Sequence, residues 1–216
     1  MNRIRTLLEH HRPITCHRRR PLPNSQPWCA GLTHGLGGVR LDGLMTHMEI
    51  RIERLWNGEP ARADETVRLT LERSTEEFTI AIDAIFHGDP PPDAAIGSTD
   101  RLWEHEVVEL FLLGDDDHYL ELEFGPHGHY LALALHGARH VAASGMPLDF
   151  AAVRTNGHWR GRSRVPARLI PAGVRAFNAY AIHGRAASRR HLAAYPLPGA
   201  APDFHQLQSF APLDWG

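Results

Sequence analysis

An all-β fold is what this sequence predicts: an antiparallel β-sandwich or jelly roll built from short strands. Three observations carry the prediction. Apolar and polar residues alternate over short runs, as in Val67–Glu72 and Phe78–Asp83. Segments rich in Gly, Pro, Asn and Asp separate these runs. After residue 47, no stretch keeps a 3.6-residue apolar period for more than about two turns.

The elements follow in order. From Met48, MEIRIERLW sets Ile50 and Ile52 against charged neighbours, and Asn57-Gly58 is a turn dipeptide. Val67, Leu69 and Leu71 share one strand face, and Phe78, Ile80 and Ile82 share another. His87–Arg101 is a loop by composition and delivers Trp103 to a strand entrance. Val107–Leu113 is apolar on both faces except at Glu109, as in a central strand covered on both sides. A carboxylate in such a strand needs an arginine, a ligand or a proton. His118–Phe124 and His129–Leu135 read as a hairpin. A four-residue turn at Gly125–Gly128 would put Phe124 opposite His129 and Leu122 opposite Leu131. Glu121 and Glu123 would then lie beside Tyr130, Ala132 and Ala134, in a shallow acidic trough. Strands recur at Phe150–Arg154, His158–Val165 and Val174–His183. In the second of these, Trp159 is expected in the core. Arg160, Arg162 and Arg164 share the other face, which is either solvated or set against Glu109, Glu121 and Glu123.

The 216 residues suit one domain with an appendage. Twenty-three basic residues, all arginine, stand against 25 acidic ones, for a net charge of −2 with neutral histidines. No global field therefore draws the chain to nucleic acid or to a membrane. The basic excess is local: before Met48, seven arginines face only Glu9 and Asp42. Residues 1–47 have no sustained period. They read as a disordered, basic, Pro/Gly/His-rich extension, or as sequence ahead of a true start at Met45 or Met48, with the domain at 48–216. No apolar run approaches the length of a membrane span, and the N-terminus lacks a secretory apolar region. Both cysteines, Cys16 and Cys29, lie in the extension. A cytoplasmic protein is expected.

No nucleophile elbow, P-loop, dinucleotide-binding glycine turn or HExxH is present, and no cofactor or metal is expected. His127-x-His129 is the best metal candidate, because alternate residues on a strand share a face; the Gly125-Pro126 turn accounts for the pair without a metal. Asp115–Asp117 reads as a solvated acidic turn. A sugar-like ligand suits the remaining chemistry. Sugar rings stack on Trp or Tyr, and their hydroxyls bond to carboxylate, amide and arginine. Trp103, Glu109, Tyr130, Asn178 and the arginine row supply those groups, with His183 and His205 as polar groups at the rim.

LWEHEVVELFLL, YLELEFGPHGHYLALAL, HWRGRSRVPARLIP, FNAYAIHG, AYPLP and PDFHQLQSF occur in this order. Together they resemble a little-characterised family of DOMON-like proteins, similar in fold to the type 9 carbohydrate-binding modules. The resemblance covers Met48–Trp215 and implies an antiparallel β-sandwich. It further implies that Trp103 stacks on a sugar and that Glu109, six residues on, binds its hydroxyls. Glu106 takes the acidic position three after the tryptophan. A second stacking tryptophan of those modules has no clear counterpart; Tyr195 and Phe204 are the candidates. The expected ligand-binding residues are therefore Trp103, Glu106, Glu109, Glu121, Glu123, Arg162, His183, Tyr195 and His205, in a domain that holds a small carbohydrate-like ligand without turning it over. The alternatives are an enzyme using Glu109 with His183 or His205 as acid and base, a haem- or metal-binding DOMON-type domain, and a protein-interaction module.

Overall fold

Alternating burial along the strands is the local signature of the fold. In His158–Pro166, Trp159, Gly161, Ser163 and Val165 are buried while His158, Arg160, Arg162 and Arg164 are exposed, as a pleated strand with one wet face requires. The computed structural model describes residues 46–214; the expectations for residues 1–45 lie outside the described residues. Among the described residues thirteen strands follow in order. The first six are β1 (Thr46–Ile52), β2 (Arg54–Leu55), β3 (Val67–Arg73), β4 (Glu77–Ile85), β5 (Val107–Leu113) and β6 (His118–Phe124). Next come β7 (Tyr130–His136), β8 (Val141–Ser144), β9 (Asp149–Thr155) and β10 (His158–Pro166). Last are β11 (Ala176–His183), β12 (Arg190–Ala193) and β13 (Ala211–Pro212). Short 3-10 turns supply the helical residues among those described, and none is long and apolar enough to cross a membrane.

The strands pair antiparallel into two sheets. One has five strands in the order β1-β3-β4-β10-β9; the other has eight, in the order β2-β12-β11-β5-β6-β7-β8, with β13 also pairing β11. The expected all-β sandwich is thus the observed fold. Its main core lies between the sheets, where Leu69, Ile80 and Trp159 meet Leu110, Leu122 and Ala179. Gly161 makes room for the indole: a Cβ there would lie 3.0 Å from both Trp159 Cζ3 and Phe150 Cε2. The eight-stranded sheet is also covered on its outer face. A second apolar cluster there joins Val107, Phe111, Tyr119, Leu131 and Tyr180 to Leu102, Leu197 and Phe210 from the connecting segments. This double cover explains why β5 and β11 are buried along their whole length.

The β6–β7 hairpin differs from the expected register. Its turn runs from Gly125 to His129, closed by the Gly125 N–H donating to the His129 carbonyl at 2.8 Å, so Phe124 pairs with Tyr130. Gly128 takes the positive φ (+90°) that this longer turn needs. One extra turn residue shifts every pairing and exchanges the faces. Glu121 and Glu123 therefore lie opposite Leu133 and Leu131, not beside the alanines, while Ala132 and Ala134 pair with Leu122 and Leu120. The arginine row of β10 lies on the solvent face of the five-stranded sheet, with Arg160 bonded to Asp83 at 3.1 Å.

Candidate functional site

On β5 and β6 the residues facing away from the main core include Glu109, Phe111, Glu121 and Glu123, among the apolar Val107, Leu113 and Tyr119. Strand pairing places Glu109 directly opposite Glu123, and Glu121 opposite Phe111. All three glutamates are buried: Glu109 is 2% exposed, Glu121 4% and Glu123 0%. Glu109 and Glu121 form the floor of a cavity of about 640 Å³, a size that holds a small organic ligand. Glu109, Glu121, Phe111, Leu133, Leu135, Ile182 and His191 line it from the strands, and Glu123 lies beneath. Its walls come from the turn at Trp103 and Glu104, from Arg139 ahead of β8 and Val141 at its start, from Arg189 ahead of β12, and from Pro202–His205.

Each wall is held by identifiable contacts. Arg189 donates to the carbonyls of Glu104 (2.9 Å) and Trp103, which ties the turn ahead of β5 to the start of β12. Trp103 keeps 38% of its surface exposed at the cavity. Phe204 stacks on Tyr180 at a ring separation of 3.9 Å, and the Tyr180 hydroxyl donates to the Phe204 carbonyl at 3.1 Å. Arg139 forms an ion pair with Asp203 at 2.6 Å. Its backbone N–H donates to the Tyr119 hydroxyl at 3.0 Å, and that hydroxyl lies 2.8 Å from His205 Nδ1.

Burial dominates the electrostatics of the floor. It pushes Glu109, Glu121 and Glu123 all above the ordinary carboxylate range, and repulsion among them raises Glu109 and Glu123 further. Arg189 acts in the opposite direction on Glu109. Glu121 and Glu123 bond to each other through their carboxyl groups, and the Trp103 backbone reaches Glu123; beyond these, Oε2 of Glu121 and both oxygens of Glu123 meet no donor. Burial and the charge of Arg139 lower His205 to about 4, and burial with the charge of Arg189 lowers His191, so both rings are neutral at pH 7. No group of three or more His, Cys, Asp or Glu side chains among the described residues is arranged to hold a metal ion.

Of the residues singled out from sequence, Trp103, Glu109, Glu121 and His205 line this cavity, with Glu123 under it. Four others lie elsewhere. Glu106 accepts the backbone N–H groups of His87 (2.9 Å) and Asp89 (3.2 Å), anchoring the loop ahead of β5. His183 faces the other side of that anchor, stacked on His87 at 3.5 Å and 3.4 Å from Glu65. Arg162 is exposed on the other sheet. Tyr195 stands edge-on to Phe177 at 5.5 Å, its backbone gripped by both ends of the Asn178 amide at 3.0 and 3.1 Å. Of the two aromatic candidates for the far wall, Phe204 is the one in the cavity. His127 and His129 point to loop carbonyls of Asp89 (2.9 Å) and Ala94 (3.2 Å), which explains the pair as loop anchors. Sequence reasoning missed Arg189, Arg139 and His191. The run Arg189-Arg190-His191 was the available signal, but it carries no periodicity to place it on a sheet.

No family model matches the chain. A curated mouse protein, the UPF0462 protein C4orf33 homolog of Mus musculus, is 37% identical over 179 residues, spanning 78% of this chain and 92% of the mouse protein. The chain belongs to the UPF0462 family. Among solved structures, this UPF0462 chain is similar to a protein of Bacteroides uniformis named for carbohydrate binding, with a TM-score of 0.58 and 17% identity over 80% of this chain and 87% of the other. That likeness is one of fold. A family 9 carbohydrate-binding module of Caldicellulosiruptor kristjanssonii in complex with glucose covers 67% of the UPF0462 chain and 72% of its own, with a TM-score of 0.40 and 10% identity. So slight an overlap carries no weight.

Proposed function

We propose that the cavity on the outer face of the eight-stranded sheet binds a small carbohydrate-like ligand and releases it unchanged. One observation carries the reading: exposed Trp103 and half-buried Phe204 share a single cavity with the carboxyl groups of Glu109 and Glu121. Aromatic faces accept the apolar face of a sugar ring, and buried carboxyl groups meet its hydroxyls. The name of the Bacteroides relative and the DOMON-type motifs lend this support. Binding is favoured over turnover because all three glutamates are shifted in the same direction. An acid–base pair needs carboxyl groups whose environments push them apart. Carboxyl groups kept protonated do supply a general acid, so an enzyme acting on sugars is the second reading; release of nitrophenol from aryl glycosides would establish it.

The test is thermal unfolding of the full chain against a panel of mono- and disaccharides. A bound sugar at about 100 times its dissociation constant stabilises by roughly 2.7 kcal/mol. For a domain of this size the midpoint rises by roughly 5–10 °C. The rise should vanish in Trp103→Ala and Glu109→Gln. A panel without any shift overturns the reading.

A further inference from the structure

The cavity gathers buried carboxyl groups with no free cation beside them, and that narrows the ligand. Arg139 is already paired with Asp203 at 2.6 Å. Arg189 directs its guanidinium to the carbonyls of Trp103, Glu104 and Gly184. Glu104, the acidic residue at the rim, is bonded to Arg101. The two cavity histidines are neutral, because burial lowers both. Three buried carboxyl groups thus face one nearby guanidinium that is committed elsewhere. Oε2 of Glu121 is buried at the cavity with only the neighbouring Glu123 carboxyl as a partner, and burial holds these groups protonated until a cation stands beside them.

A buried acceptor without a donor costs about 1–3 kcal/mol, more when it is charged. A neutral hydroxyl supplies one donor and no charge. A primary ammonium supplies three donors and a full positive charge on a compact head. The apolar part of the lining, Phe204, Leu133 and Leu135 beside Trp103, suits a ring rather than an extended polyamine, whose second charge would be left against hydrocarbon.

The geometry points to an amine-bearing sugar as the occupant of this cavity, its ammonium group seated on Glu109 and Glu121 with Glu123 behind them. The inference rests on the sugar-binding reading above and names the class within it. An N-acetylated sugar is disfavoured at the same seat: it has lost the positive charge that would draw these carboxyl groups into their ionised form.

Isothermal titration of the full chain with glucosamine, glucose, N-acetylglucosamine and 1,5-diaminopentane tests it. Glucosamine should bind at least about tenfold more tightly than glucose or N-acetylglucosamine, the ratio that one well-placed charged hydrogen bond supplies. Glu121→Gln and Glu123→Gln should each bring glucosamine to the affinity of glucose while unfolding cooperatively like the parent. Equal binding of glucosamine and glucose overturns the amine inference and leaves the sugar reading standing. Binding of diaminopentane alone overturns both, since the site would then recognise a cation without a sugar. Absence of binding by all four overturns the inference, and the wider sugar panel then decides the reading beneath it.

Discussion

Replacing Glu65 by glutamine should loosen the joint that carries β12 and Arg189. Glu65 ends the turn ahead of β3 and is 2% exposed. It accepts both arms of Arg190, at 2.7 and 3.0 Å, and the Arg62 N–H at 2.8 Å. Burial alone would raise this carboxyl; the Arg190 fork and the Arg62 N–H outweigh it and bring it down from 4.5 to about 2. A fall of that size corresponds to about 3 kcal/mol of folding stability at neutral pH. Removing one partner of a buried pair typically costs about 3–5 kcal/mol. The Arg190 side chain remains 26% exposed, so solvent weakens the pair, and about 2–3 kcal/mol is the expected loss for Glu65→Gln. For a domain of this size that lowers the melting midpoint by about 4–12 °C. Because the folded-state value is depressed, the contribution is present above about pH 4.5 and fades as pH falls toward 2. Urea unfolding of parent and variant at pH 7 and pH 3 measures it: the gap should shrink to less than half at pH 3. A gap below about 1 kcal/mol at pH 7, or one unchanged at pH 3, refutes the reasoning.

Three further outcomes follow from the same contacts. Trp159→Ala should cost about 3–5 kcal/mol in urea unfolding, as a fully buried indole between the sheets, while any sugar-induced shift in midpoint survives. Glu121→Gln should flatten the dependence of stability on pH. Burial raises this carboxyl in the fold, so the parent is favoured at low pH and loses stability as pH rises above 4.5, which chemical denaturation at pH 5 and pH 8 will show. Arg189→Met should cost less than about 1.5 kcal/mol of stability yet abolish sugar binding in the same thermal assay, because the carbonyls of Trp103 and Glu104 lose their common donor.

Legibility followed the range of the interactions. Strands with one wet face were readable from alternation alone, because the pleat imposes a period of two whatever lies across the sheet. Val107–Leu113, buried throughout, was readable instead from its continuous apolar run, and it and His118–Phe124 come out with the expected ends. The short strands β8 and β12 were not readable: Val141–Ser144 is exposed throughout, and Arg190–Ala193 is polar at one end and buried at the other. The hairpin register turned on one residue. His129 joins the turn because its ring is buried and reaches the Ala94 carbonyl at 3.2 Å, a partner 35 positions away that no local pattern announces.

By itself, then, the sequence determined an all-β sandwich, the buried carboxylate on β5, the pairing of β6 with β7 though not its register, and a tryptophan at the strand entrance. These depend on neighbours along the chain or one strand away. Only the tertiary structure decided which candidates share a cavity. Trp103 and His205 meet there because the segment after β12 folds back over the outer face of the eight-stranded sheet, and Tyr119 bonds a histidine 86 positions on. Arg162, His183, Tyr195 and Glu106 are equally polar or aromatic in sequence. They lie elsewhere because strand order and sheet face, set by long-range burial, separate residues that composition alone cannot tell apart.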